Sequence, residues 1–213
     1  HLGLFDVILQ MYLHGPGFIA KKQIGDFPLF GSVARGLHCL LISRESEKER
    51  KETMSLIYNK QKNFLEGKSL APLVIFPEGT TTSNRDILRF KKGAFYFLLP
   101  IKPQIIKIDQ KSDVHIACGT QNICFHTWKL LSFFRNDIYY IDLPVIRPTK
   151  FMFDNYSNYG KEKWEIFAEV TRKIYCEIGE FKESEQGYRE SYNYYLCINK
   201  GEYIPEIGNK KNI

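Results

Sequence analysis

Short apolar runs alternate with amphipathic stretches along most of this chain, and the apolar runs have the length of buried β-strands. Five segments are predicted to be strands: GFIAKKQIG from residue 17, CLLISR from residue 39, PLVIF from residue 72, PQIIKI from residue 103 and DIYYIDLPVI from residue 137. The last of these alternates polar and apolar positions, which is typical of a strand with one solvated face.

The amphipathic stretches predict helices between these strands. The first twenty residues predict a short helix that is broken by a Gly-Pro-Gly sequence. Ser46 and Glu49 have the spacing of a capping box and predict the start of a longer helix. An amphipathic helix is predicted over about residues 159–178, and weaker helical patterns cover residues 91–100 and 127–136.

Strands that alternate with helices predict an α/β fold, with a central, largely parallel sheet flanked by helices. The 213 residues are enough for one sizeable core and few for two. We expect one domain over residues 1–180, followed by a polar, loosely ordered tail over residues 181–213.

Composition and charge narrow the classes of partner. The net charge of +6 comes from basic and acidic residues that are mixed along the chain, which favours anionic partners such as phosphates or a membrane surface. The chain has no dense Lys/Arg block interleaved with aromatic residues, which argues against nucleic-acid binding. No apolar run is long enough to span a membrane. Five scattered cysteines without a CxxC pair predict free thiols in a reducing compartment.

Some chemistries are disfavoured by the motifs. The histidines and cysteines match no zinc pattern, so no metal is expected. The chain has no GxSxG elbow, which argues against a serine hydrolase of the α/β-hydrolase kind.

His1 and Asp6 form the first candidate catalytic pair. Five helical steps place two residues about 140° apart, so these two can meet only if the segment begins as a turn and then becomes helical. Gly3 permits such a turn. A carboxylate bonded to the imidazole would leave the other ring nitrogen free to accept a proton from a hydroxyl. A structural or solvated role for both residues is the alternative.

Arg44 ends a predicted buried strand, where its guanidinium could bind a phosphate. A surface ion pair with a nearby glutamate is the alternative.

The loop FPEGTTTSN, residues 76–84, follows the most apolar strand. Ligands of open α/β sheets bind at the carboxyl ends of strands, and this loop supplies Glu78, a glycine and several hydroxyls there. Cations follow it at Arg85, Arg89, Lys91 and Lys92. The loop therefore suits an anionic ligand, although Glu78 could also be an ordinary turn acid and the cations a solvated face.

Four stretches in this order resemble the motifs of the glycerolipid acyltransferases, the PlsC-type family with an HxxxxD motif. They are HLGLFD, GLHCLLISR, FPEGTTTSN and LLPIKPQII, of which the third is the most specific and the fourth the least well kept. FHTWKLLSFFRNDIYYIDLPVIRPT and FAEVTRKIYCEIG are similar to the lysophosphatidylcholine acyltransferase branch.

The resemblance implies an enzyme that moves a fatty acyl group from acyl-CoA, its co-substrate, to the free hydroxyl of a lysophospholipid. No cofactor is implied. The alternatives are a lysophosphatidate or glycerol-3-phosphate acyltransferase and a non-catalytic lipid-binding relative. A membrane surface is expected as a partner, and the endoplasmic reticulum, with the active site facing the cytosol, as the location.

The resemblance also assigns roles to individual residues. His1 would be the general base, with Asp6 orienting it, and Arg44 would bind the phosphate of the acceptor. Three loop residues would shape the acceptor and oxyanion region, and three lysines would contact phosphates of coenzyme A or anionic headgroups: Glu78, Gly79 and Thr80, and Lys21, Lys22 and Lys91, with Lys92 beside them.

Overall fold

The computed structural model describes residues 1, 3–26, 28–43, 46–82, 86–109, 128, 132, 137–185 and 187 of the 213.

Five α-helices occur in this part of the chain: α1 Leu4–His14, α2 Pro28–Gly36, α3 Glu47–Leu65, α4 Lys150–Asn155 and α5 Lys163–Gly179. Three short 3-10 segments accompany them, at Lys22–Asp26, Lys92–Ala94 and Ser157–Tyr159.

Seven strands are formed by the described residues: β1 Gly17–Lys21, β2 Leu40–Ile42, β3 Leu73–Val74, β4 Asp86–Ile87, β5 Gln104–Asp109, β6 Asp137–Asp142 and β7 Lys182–Glu183. They pair as a three-stranded sheet in the order β2-β1-β3, a pair β4-β7 and a pair β5-β6. The predicted α/β class, with a parallel sheet flanked by helices, is confirmed.

The three-stranded sheet is parallel throughout. Ile19 of β1 lies opposite Leu40 of β2, and Gly17 of β1 lies opposite Leu73 of β3. Because α2 connects β1 to β2 and α3 connects β2 to β3, the carboxyl ends of the strands meet at one edge. The loop after β3 leaves the sheet at this edge.

The longest ladder, β5 with β6, is antiparallel. Six residue pairs run from Gln104↔Asp142 to Asp109↔Asp137. The expectation of a largely parallel sheet therefore holds for the first three strands and for β4-β7, and the second half of the chain adds an antiparallel layer.

The apolar face of α5 packs on the segment after β4. The rings of Phe95 and Phe167 meet edge to face at 5.4 Å, and Phe167 is completely buried. Met152, Ile166 and Ala168 complete this core cluster. α5 begins a few residues later than the sequence predicts and ends at Gly179, so the predicted long helix is confirmed.

Two local predictions have clear outcomes. The capping box of α3 is confirmed, because the Ser46 hydroxyl accepts a hydrogen bond from the Glu49 N–H and the Glu49 carboxylate accepts one from the Ser46 N–H. The helix predicted over residues 91–100 is wrong: only Lys92–Ala94 is helical, as a 3-10 turn. Leu98 then adopts a left-handed backbone with φ 52°, which ends any helical path.

Parts of the remaining predicted elements lie outside the described residues. Most of residues 127–136 and all of residues 188–213 are not among the described residues. Strand β7 pairs with β4, so regular structure continues past residue 180, where the tail was expected to begin. No helix in the described part of the chain combines the length and the apolarity of a membrane span.

Candidate functional site

The site lies where the start of the chain runs alongside the loop that leaves β3. The Thr82 N–H donates to the carbonyl of His1 over 2.8 Å, which fixes residue 1 against the loop. Ser83 and Asn84, at the end of the predicted loop, and Arg85, directly after it, lie outside the described residues.

His1 and Asp6 meet, as the sequence allowed. The segment begins as a turn and becomes helical at Leu4, and the N–H of Gly3 donates to Asp6 Oδ1 over 3.0 Å. The other carboxylate oxygen, Oδ2, lies 2.6 Å from His1 Nδ1. Asp6 is 2% exposed, so this carboxylate is held from two sides inside the protein.

This geometry determines what the imidazole of His1 offers. An ionised Asp6 can only accept, so Nδ1 carries the hydrogen of the 2.6 Å contact and Nε2 of the neutral ring is an acceptor. The side chain is 20% exposed, so the ring remains accessible. His1 thus has the arrangement of a general base oriented by a carboxylate.

Phe76 was not predicted as a site residue. Its ring stacks on that of His1, with centroids 3.8 Å apart and planes 9° from parallel, so Asp6 and Phe76 together limit how the imidazole can turn. Phe18 of β1 lies beyond it, at 6.4 Å. The available sequence signal was an aromatic residue at the end of a strand, directly before the Pro77 turn.

Glu78 is buried, with 3% of its surface exposed, and holds the loop together. Its carboxylate accepts from the Leu88 N–H at 3.0 Å, from the Thr82 hydroxyl at 3.1 and 3.2 Å, and from the main-chain nitrogen of His1 at 3.0 Å. The last contact needs only an N–H donor, so it would be kept if the His1 nitrogen were an amide. Glu78 therefore positions the main chain that carries the imidazole.

Gly79 occupies a position that requires glycine. Its φ of 72° lies in the left-handed region, and a Cβ there would come within 2.6–2.8 Å of the side chain of Lys91. Lys91 thus passes over the loop turn, and its N–H bonds the Pro77 carbonyl over 2.8 Å. Lys91 therefore lies beside the loop that carries Glu78.

A cavity of about 140 Å³ opens beside His1 and Asp6. Its polar lining comes from His1, Asp6, Glu78, Lys102, Gln104 and Tyr175. The rest of the wall is apolar and comes from β3, the loop after it, β4, β5, Phe90 and Phe181. A mostly apolar recess with a few convergent polar groups is typical of a small-molecule site.

Tyr175 brings the last helix into this site. Its hydroxyl accepts from the Gln104 N–H over 3.1 Å, and its ring meets Phe90 edge to face at 5.6 Å. Burial, with the nearby Glu78 charge, raises the pKa of Tyr175 to about 12, so the hydroxyl stays neutral at physiological pH. The sequence predicted an amphipathic helix that contains Tyr175, but a helical pattern does not connect this residue with a loop near residue 78.

For the other predicted site residues, the structure gives only their position or exposure. Lys21 ends β1, at the edge of the sheet where the site lies, and Lys22 is exposed. Thr80 is half-buried in the loop. Arg44 lies outside the described residues, so its phosphate-binding role stays a prediction. Within the described ranges, no three His, Cys, Asp or Glu side chains group as metal ligands.

Comparison with known proteins agrees with the predicted family. The family model described as Acyltransferase matches residues 1–109, which include His1, Arg44 and the Glu78 loop. No solved structure matches the chain.

Three curated relatives carry consistent names. The lysophospholipid acyltransferase LPEAT1 of Arabidopsis thaliana is 28% identical over 93% of this chain and 48% of its own length. A lysophosphatidylcholine acyltransferase of Drosophila melanogaster is 26% identical over 80% of this chain and 32% of its own. Lysophosphatidylcholine acyltransferase 2 of Rattus norvegicus is 30% identical over 53% of this chain and 20% of its own. The chain spans about half or less of the length of these relatives.

Proposed function

The chain belongs to the acyltransferase family, and from this premise we propose that it transfers a fatty acyl group from acyl-CoA to the free hydroxyl of a lysophospholipid. The family match contains the candidate base, and the relatives named above act, by their names, on lysophospholipids. These names support the acceptor class, and lysophosphatidylcholine is the acceptor that we propose within it.

One observation carries the proposal: the 2.6 Å contact between His1 Nδ1 and Asp6 Oδ2 beside the cavity. It supplies an oriented base, and no serine, threonine or cysteine is among the described residues that line the cavity. A base without such a nucleophile suits direct attack by the acceptor, with no covalent acyl-enzyme.

In the proposed reaction, His1 Nε2 accepts the proton of the acceptor hydroxyl as its oxygen attacks the thioester carbon. The new C–O bond forms, the C–S bond breaks, and the coenzyme A thiolate leaves. The imidazolium, stabilised by Asp6, then gives its proton to the thiolate, so that the products are an ester and a free thiol. Phe76 and Asp6 keep the imidazole in the orientation that this transfer needs.

The other predicted residues have supporting roles in this proposal. Arg44 binds the acceptor's phosphate, and Lys21, Lys22 and Lys91 contact phosphates of coenzyme A or anionic headgroups. Glu78 positions the His1 main chain, while Gly79 and Thr80 shape the acceptor and oxyanion region.

We place the reaction at a membrane surface, because both the acceptor and the acyl chain are lipids. The free thiols of Cys39 and Cys176 suit a reducing compartment, which supports an active site facing the cytosol, at the endoplasmic reticulum.

The test is thioester consumption by the purified full chain with lysophosphatidylcholine and acyl-CoA. His1→Ala should lower kcat by about 10²–10⁴-fold, the usual contribution of a general base. His38→Asn is the matched control, since His38 is exposed and asparagine tolerates its left-handed backbone with φ 52°. Turnover in His1→Ala equal to that of the control would remove His1 as the base.

An acceptor panel separates the alternatives. Lysophosphatidylcholine, lysophosphatidate and glycerol 3-phosphate are compared under equal conditions with labelled acyl-CoA. A preference for either of the last two would replace the proposed acceptor, and absence of turnover with all three would favour a non-catalytic lipid-binding role.

A further inference from the structure

Lys102 is the one Lys or Arg among the described residues that line the cavity. The same cavity wall carries the carboxylates of Asp6 and Glu78, so its described charges are mostly negative. A phosphate-bearing substrate would need a cation near this wall. Lys102 was not among the predicted site residues.

Asp142 currently accepts from two donors of the cavity wall. Lys102 Nζ lies 2.6 Å from Asp142 Oδ2, and Gln104 Nε2 donates to Asp142 Oδ1 over 3.3 Å. These two donors hold the pKa of the Asp142 carboxyl below its usual range, with the Lys102 contact as the larger cause. Two cavity-lining donors thus converge on one anion.

The Gln104 side chain is fixed for this role by its neighbours. The buried Gln10 donates from Nε2 to Gln104 Oε1 over 2.9 Å, which directs the Gln104 amide nitrogen toward Asp142 and His14. Gln104 also lies directly opposite Asp142 in the antiparallel ladder. The amide donor is therefore held in place before any ligand arrives.

The ion pair itself is open to exchange. Lys102 is 50% exposed and Asp142 39% exposed, and an ion pair this exposed contributes little to stability because solvent screens it. A phosphate offers stronger acceptor oxygens than a carboxylate and can replace it at low cost.

We propose that Lys102 and the Gln104 amide form an anion subsite of the cavity, in which a substrate phosphate replaces the Asp142 carboxylate as their acceptor. The subsite rests on the proposed function, which supplies phosphate-bearing substrates. The phosphate belongs either to the lysophospholipid acceptor or to acyl-CoA. It would act in addition to the role proposed for Arg44.

The experiment compares Lys102→Met with Lys107→Met. Lys107 is a matched control, because it lies on β5, five residues after Lys102, and is paired with Glu180 at 3.4 Å but does not line the cavity. Lys102→Met should raise KM for one phosphate-bearing substrate by about tenfold, with little change in kcat. This is the low end of the range for a hydrogen bond to a charged group, because Lys102 is half-exposed. Lys102→Arg should restore most of the affinity.

Asp142→Asn should act in the opposite direction. It removes the competing carboxylate, so the same KM should fall about two- to fivefold, as expected for loss of an exposed ion pair. Opposite signs for Lys102→Met and Asp142→Asn separate ligand competition from a general loss of structure.

Paired competitors identify the source of the phosphate. If Lys102 binds the acceptor, Lys102→Met weakens lysophospholipid binding and leaves inhibition by the phosphate-free monoacylglycerol unchanged. If it binds the donor, coenzyme A inhibition weakens and pantetheine inhibition does not. Direct titration with coenzyme A and with a short-chain lysophospholipid gives the same comparison without turnover.

If the wild-type protein is active and Lys102→Met has the same KM values as Lys107→Met, the subsite is contradicted and the proposed function stands. An inactive wild type would contradict the proposed function, and the direct titrations would then decide the subsite alone.

Discussion

Two regions present carboxylates near the cavity: the start of α1 with the Glu78 loop beside it, and the β5-β6 ladder. They hold these carboxylates in opposite ways. Asp6 and Glu78 are 2% and 3% exposed, and main-chain N–H groups of Gly3 and Leu88 are among their donors. Asp142 is 39% exposed and is bonded to side chains, Lys102 and Gln104.

The difference separates fixed groups from exchangeable ones. A buried carboxylate with main-chain donors cannot be moved without leaving those donors unpaired, at a cost of about 1–3 kcal/mol for each. An exposed carboxylate with side-chain donors gives way to another anion or to water. The first kind suits the orientation of a base, and the second suits a subsite that a substrate enters.

The largest expected effect comes from Asp6→Asn. The asparagine oxygen can still accept from Gly3, but its NH₂ would then face His1 Nδ1 and place the ring proton on Nε2. His1 could not accept a proton in that tautomer, so kcat should fall about 10²–10⁴-fold while the fold is kept. Steady-state kinetics with a circular dichroism spectrum check this.

The exposed Asp154→Asn is the control for that change and should leave kcat unaltered. If Asp6→Asn were as active as Asp154→Asn, Asp6 would be only a helix-capping residue of α1.

Glu78→Gln should have a smaller effect, and mainly on stability. The amide has one acceptor oxygen where the carboxylate has two, so its NH₂ must face either the Leu88 N–H or the His1 nitrogen. Leaving a buried donor unpaired should cost about 1–3 kcal/mol, which lowers Tm by several degrees in a chain of this size.

Thermal unfolding of Glu78→Gln is compared with that of Glu47→Gln. Glu47 is 80% exposed in an ion pair along α3, so its loss should change stability by less than about 0.5 kcal/mol. Equal melting temperatures for the two variants would show that Glu78 does not hold the loop.

The smallest expected effect is on the titration of Tyr140, next to the exchangeable carboxylate. Burial and the Asp142 charge raise the pKa of Tyr140 from 10.0 to about 12. The folded state therefore holds this proton more tightly than the unfolded state, and the associated stability is lost as the pH rises from about 10 to about 12.

Asp142→Asn removes the charge but not the burial, which is the larger cause, so the pKa should fall and still remain above 10.0. Carbon-13 NMR titration of labelled tyrosines measures it, with Tyr140→Phe to assign the signal. An unchanged pKa in Asp142→Asn would mean that the carboxylate does not act on Tyr140.

Local patterns in the sequence predicted much of the first half correctly. The capping box at Ser46, the strands before Arg44 and before Glu78, and the turn that lets His1 meet Asp6 all depend on residues a few positions apart. The helix predicted over residues 91–100 failed because apolar composition favours burial without specifying the backbone, and Leu98 adopts a left-handed conformation there.

What the sequence determined by itself was the α/β class, His1 and Asp6 as a candidate pair and the order of the family motifs, because these follow from short spacings and chain order. Only the tertiary structure decided that Phe76 stacks on His1, that Tyr175 of the last helix reaches the cavity, and that Lys102 and Gln104 share Asp142 as an acceptor. Those contacts join side chains far apart in the chain, and periodicity cannot tell which buried faces meet across a core.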